Sequence, residues 1–128
     1  MASHELDCIR RRLGSLDTSI TVRNVFSETP KTEWLSGMDA MVIGGSGAFS
    51  VHDPRSEAWV TELRHLLDAC LERSVPSLGI CFGHQLLGLH LGAEVVTDLA
   101  RREVGTLAFD LTEAGANDPL FGSLGAAG

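Results

Sequence analysis

The sequence predicts an α/β fold, an open and mostly parallel sheet with helices on both faces. Three observations carry that expectation. Short apolar runs of strand length alternate with longer stretches of helical periodicity. A glycine-rich loop, Gly44-Gly45-Ser46-Gly47, directly follows one of the runs. A cysteine bracketed by glycines, in Gly79-Ile80-Cys81-Phe82-Gly83, directly follows another. Ligands of parallel sheets gather at the carboxyl ends of strands, so Gly45 and Cys81 are expected to meet at one site.

Each element has a local reason. Ser3 is read as the cap of a first helix reaching about Leu13, with Leu6, Ile9 and Leu13 on one face. Acids come early in it, Arg10 to Arg12 come late, and Gly14 stops it. Residues 20–26 read as a strand, and Pro30 and Lys31 as loop. Residues 40–43 form a short buried strand. Asp53-Pro54 opens a second helix, with proline at its first position. Trp59, Leu63, Leu66, Leu67, Cys70 and Leu71 line one face of that helix, and Pro76 closes the stretch. Residues 78–81 are the next strand and residues 83–91 the next helix, stopped by Gly92. Residues 94–97 and 104–111 read as further strands, and the Gly/Ala-rich tail over 122–128 reads as loose.

The chemistry centres on Cys81. Gly-x-Cys-x-Gly is the cysteine form of a nucleophile elbow. The turn is tight and its central residue strained, so small residues must flank it. It sets the thiol at a helix N-terminus, where the dipole and free N–H groups favour an anion. An isolated cysteine in an apolar run is ordinarily a small buried hydrophobe, and Cys8 and Cys70 are read that way. The flanking glycines and the strand-to-helix switch set Cys81 apart.

The segment Gly79-Ile80-Cys81-Phe82-Gly83-His84-Gln85 resembles the signature of class I glutamine amidotransferases. Val42-Ile43-Gly44-Gly45-Ser46-Gly47 resembles that family's oxyanion-strand loop. Arg102-Glu103-Val104-Gly105, Leu111-Thr112 and Asp118-Pro119-Leu120-Phe121 are similar to the branch that includes the glutaminase domain of GMP synthase. The resemblance runs from about His4 to Leu124 and implies a flavodoxin-like three-layer sandwich, with residues 1–128 forming a single, partial domain. Family members have a strand before the first helix and a His-x-Glu stretch well beyond the elbow. The resemblance therefore implies a domain lacking both ends, and one whose status as an enzyme turns on whether that His and Glu are supplied.

The resemblance also implies roles. Cys81 attacks the side-chain amide of glutamine, or of another γ-glutamyl amide, and forms a thioester that water hydrolyses. The N–H groups of Phe82 and Gly45 form the oxyanion hole, and Gln85, Ser46 and Gly47 bind substrate. Taken alone, Gly-Gly-Ser-Gly also fits a flexible turn or a phosphate loop, and Gln85 a helix-stabilising polar residue. The released ammonia passes to a synthetase subunit or domain. His84 is read as structural, because its helix carries it away from the attack direction. His4, His52, His65 and His90 have no ligand spacing. Glu103 is expected to make a structural hydrogen bond. Trp34 and Trp59 are core or groove fillers. Alternative readings are a non-catalytic domain binding a γ-glutamyl ligand or a partner, and a γ-glutamyl hydrolase of the same fold.

Composition narrows the classes. A chain of 128 residues holds one domain at most, and 44% hydrophobic content supports a packed core. A net charge of −7 argues against nucleic acid or an anionic membrane as partner. No apolar run approaches the ~20 residues of a spanning helix, and Met-Ala-Ser-His-Glu-Leu-Asp does not read as a secretory signal. Three unevenly spaced cysteines fit reduced thiols in a cytoplasm and no zinc pattern. No cofactor or metal is expected. Without the strand before the first helix, sheet edges would be exposed and could draw copies into an oligomer.

Overall fold

The computed structural model describes residues 2–14, 16–101, 105–106 and 108–122. The chain is α/β, built on a parallel strand pair. β1 (Met41–Ile43) and β2 (Ser77–Gly79) align Met41 with Ser77, Val42 with Leu78 and Ile43 with Gly79. Backbone bonds from Met41 N to Pro76 O and from Ile80 N to Ile43 O, each 2.9 Å, extend the ladder at both ends. Parallel neighbours need a long crossover. Here it is the helix α2 (Glu57–Glu72).

The entry to α2 follows from Asp53-Pro54. Asp53 is extended, its carboxylate accepts the Arg55 N–H at 2.9 Å, and a 3₁₀ turn over Pro54–Ser56 leads into the helix. The Arg55 side chain, hydrogen-bonded to the same carboxylate, holds the Asp53 carboxyl below the ordinary carboxylate range. Ser56 is fully buried, its hydroxyl directed at the carbonyls of Asp53 (2.7 Å) and Ser50 (3.1 Å). Leu63, Leu66, Leu67 and Cys70 are buried as the periodicity predicts, and Val60 and Ala69 join them. Leu71 does not: it is 61% exposed. Cys70 reaches β1, with its sulfur 4.0 Å from that of Met41. One residue is a 100° turn of the helix, so Leu71 faces away from that contact. Pro76 ends the return, after Val75 N closes on Cys70 O at 2.8 Å.

α1 spans Ala2–Leu13. It starts before Ser3, which therefore lies inside the helix and is not its cap. Leu6, Ile9 and Leu13 are half-buried, and Gly14 N bonds Arg10 O at 3.0 Å as the helix ends. Cys8 is exposed, contrary to the expectation of a buried hydrophobe; its sulfur is 4.0 Å from His4 Nε2.

Residues 20–26 and 94–97 are not strands. A strand exists by pairing, and among the described residues β1 and β2 pair only with each other. The first segment ends in a turn built on Asn24, whose side chain accepts from Phe26 N (3.0 Å) and whose carbonyl accepts from Ser27 N and Glu28 N. The second follows Gly92, at φ +89°, and Ala93 N, bonded to Gly88 O at 2.8 Å. Of the strand expected over 104–111, Val104 and Leu107 lie outside the described residues, and the described part is irregular. Arg102, Glu103 and the tail beyond Gly122 also lie outside them, so the role expected of Glu103 does too.

Two compact units are present, Met1–Val95 and Val96–Gly128. The first holds the core, centred on Leu66, Leu67 and Leu86, each at most 2% exposed. The second is made of local turns and a short helix, α4 (Glu113–Ala116), capped by Thr112 Oγ1, which accepts from Gly115 N at 3.1 Å. Among the described residues, no helix is long and apolar enough to cross a membrane.

Candidate active site

The elbow lies between β2 and α3 (Phe82–His90). Cys81 has φ +53° and ψ −107°, a backbone conformation that a residue with a side chain adopts only under constraint. The constraint is visible. A Cβ on Gly79 would overlap the carbonyl group of Gly83, and a Cβ on Gly83 would overlap the carbonyl group of Ile43, whose carbon would be 2.8 Å away. The two glycines let α3 press onto both strands, and the turn between them is forced. Gly83 N bonds Ile80 O at 3.0 Å, and Gln85 N bonds Cys81 O at 3.1 Å. Next to the exposed Cys81, Phe82 is 4% exposed, its ring 5.1 Å from that of Trp59. The turn thus anchors Phe82 in the core and leaves the Cys81 side chain exposed.

The structure brings Gly45 to Cys81. A Cβ on Gly45 would lie 3.6 Å from Cys81 Cβ and 3.9 Å from Sγ, so the glycine borders the space above the thiol. Phe82 is the first residue of α3, and its N–H has no acceptor within the helix. Ser46 is committed to its own loop: its hydroxyl accepts from Phe49 N at 2.8 Å and donates to Phe49 O at 3.0 Å. Gly47, at φ +66°, completes that turn. Gln85 is exposed, one helical turn beyond Cys81.

Among the described residues, no imidazole hydrogen-bonds Cys81 Sγ. His84 is exposed, and His52 Nε2 contacts Val95 O at 2.7 Å. His65 lies 3.5 Å from Glu62. The His90 side chain is 8% exposed, with Nε2 3.2 Å from Asp68 Oδ1, tying α3 to α2. Among the described residues, no three His, Cys, Asp or Glu side chains gather as a metal site requires.

One residue at this site was not legible as such. Glu5 Oε1 accepts the Gly45 N–H at 2.8 Å, across forty positions of sequence. In the sequence it reads only as an early acid on α1, favourable to the helix dipole. No local signal links it to the glycine loop.

The described architecture is thus that of an α/β protein with a parallel β-α-β unit and a cysteine at a strained strand-to-helix turn. The chain belongs to the class I glutamine amidotransferase family, whose profile matches residues 6–121. It is similar to a subunit of the glutamine-hydrolyzing GMP synthase of Sulfurisphaera tokodaii, at 37% identity over 84 residues, 63% of this chain and 39% of that protein. It is also similar to the glutamine amidotransferase-like protein YfeJ of Salmonella typhimurium, at 34% identity over 90 residues, 68% of this chain and 37% of that protein. The chain therefore spans under two-fifths of these curated relatives. No solved structure matches it.

Proposed function

We propose that residues 1–128 are the nucleophile-bearing part of a single amidotransferase domain of the flavodoxin-like three-layer type, acting on glutamine or another γ-glutamyl amide. Cys81 Sγ attacks the side-chain carbonyl carbon, the amide nitrogen leaves as ammonia, and water hydrolyses the resulting thioester. The N–H groups of Gly45 and Phe82 receive the oxyanion. Gln85 and the backbone of Ser46 and Gly47 hold the substrate. Ammonia passes to a synthetase subunit or domain, in a cytoplasmic setting and without a cofactor. The observation that carries this reading is the strained Cys81 backbone with Gly45 set against its side chain.

A second reading, a γ-glutamyl-binding domain without turnover, is favoured by one observation: among the described residues, no histidine reaches the thiol as base.

Two measurements test these readings. Limited iodoacetamide labelling, read by peptide mass spectrometry, is expected to modify Cys81 well ahead of Cys8. Both thiols are exposed, so accessibility alone does not separate them; Cys81 sits on the strained strand-to-helix turn beside Gly45, whereas Cys8 lies inside α1. Buried Cys70 should react last. Equal rates at Cys81 and Cys8 would remove the elbow assignment. Glutaminase assay of the 128-residue chain is expected to give background ammonia release, since general-base catalysis is worth ~10²–10⁴ in rate. Robust release abolished by Cys81→Ala would instead show that a group within this chain serves as base.

A further inference from the structure

We infer that Glu5 is an internal occupant of the oxyanion position, a carboxylate latch that competes with substrate for the Gly45 N–H. The inference rests on the reading of Gly45 as an oxyanion donor.

The contact is specific. Oε1 accepts the Gly45 N–H at 2.8 Å, and Gly44 gives the carboxylate room: a Cβ there would lie 2.9 Å from Oε2 and 3.1 Å from Oε1. The same Gly45 borders the Cys81 thiol. An acid in the first turns of a helix ordinarily faces the free N–H groups of its own N-terminus. Glu5 instead turns to a loop forty residues away, and among the described residues no cation pairs with it.

The chemistry of the contact matches the chemistry of the step. An oxyanion hole is a pair of N–H donors aimed at a negatively charged oxygen. A carboxylate oxygen is the nearest equivalent that a protein side chain can offer. One short N–H cannot serve both Glu5 and a tetrahedral oxyanion at full strength. The substrate carbonyl therefore meets a hole with one donor engaged until Glu5 withdraws. Glu5 lies on α1, outside the β-α-β unit that holds the thiol, so movement of that helix frees the donor without disturbing the elbow.

The test uses the whole chain with Glu5→Ala and Glu5→Gln. Hydrogen–deuterium exchange at Gly45, read by mass spectrometry with electron-transfer fragmentation, is expected to be slow in the parent and about tenfold faster or more in Glu5→Ala, as for loss of a charge-assisted bond. Cys81 is then alkylated with two reagents. Iodoacetamide needs no oxyanion hole; a chloromethyl ketone derived from glutamine must place its carbonyl oxygen there. The ratio of ketone to iodoacetamide rates should rise about tenfold in Glu5→Ala, and less in Glu5→Gln, whose neutral carbonyl can still accept. Unchanged Gly45 exchange in Glu5→Ala, or faster exchange with a falling ratio, overturns the latch. Failure of the underlying reading looks different: Gly45 exchange then quickens in Glu5→Ala while the ratio stays at the parent value, which removes Gly45 as an oxyanion donor and the latch with it.

Discussion

Gly83 lies so close to the carbonyl of Ile43 that a single methyl group there has no space to enter. Gly79 is held in the same way against the backbone of Gly83. Neither neighbour is the movable end of a side chain; both are backbone. Gly45 differs, since a Cβ at that position would make only ordinary contacts, with Cys81 Cβ at 3.6 Å and Glu5 Oε1 at 3.6 Å. The three glycines of one site should therefore fail in different ways. Gly83→Ala and Gly79→Ala are expected to destabilise by about 3 kcal/mol or more, at the upper end of overpacking costs, and to show it as a lower thermal midpoint or lost cooperativity. Gly45→Ala should melt close to the parent. Its methyl group, however, stands in the space above the thiol. Reaction of Cys81 with a glutamine-derived ketone should slow by about 10²-fold, the scale of a lost oxyanion contact, while iodoacetamide still reacts. A Gly45→Ala protein that unfolds, or that reacts with the ketone at the parent rate, would contradict this division between packing and access.

At the scale of elements, what could be read from the sequence was what neighbouring residues decide among themselves. Asp53-Pro54 announces a helical start, and the structure puts there a 3₁₀ turn capped by that carboxylate on the Arg55 N–H, with α2 itself beginning three residues later at Glu57. The glycine pair around Cys81 announces a turn that only small residues permit, and both glycines are in fact in forced contact. The apolar stripe of α2 is legible through Cys70 and fails at Leu71, where the neighbouring strand and not the period decides burial. Strands were harder. Residues 20–26 have strand composition, but composition only suits a chain to a sheet, and a strand needs a partner beside it. In this structure Asn24 draws the end of the segment into a turn instead. Cys8 was misplaced because a cysteine carries no periodic signal of its own. The Glu5 contact was invisible for a related reason. It joins α1 to the loop after β1, and nothing at either position implies the other.

At the scale of the whole chain, the strand pair leaves an apolar surface uncovered. Val42 and Leu78 stand opposite each other in register and so share one side of the sheet. They are 46% and 42% exposed, while Ile43, on the alternate side, is buried in the core. Among the described residues each strand also has one unpaired edge. Unpaired edges and exposed apolar faces are the usual routes by which sheets recruit other chains. Opposing this is the net charge of −7, which keeps copies apart. The apolar surface is expected to win, because charge repulsion between exposed groups is largely screened beyond about 8 Å at physiological salt. The 128-residue chain should therefore self-associate at micromolar concentrations in sedimentation velocity, increasingly as salt is raised. Replacing both Val42 and Leu78 by Lys separates the two effects. The double variant carries −5 in place of −7, two charges fewer, so if charge alone controlled association it would associate more. If the sheet face controls it, the variant should shift toward monomer with its thermal midpoint nearly unchanged, since both side chains are already solvated. A parent chain that sediments as a monomer and melts in one sharp transition would show that neither the edges nor this face is open to a second copy.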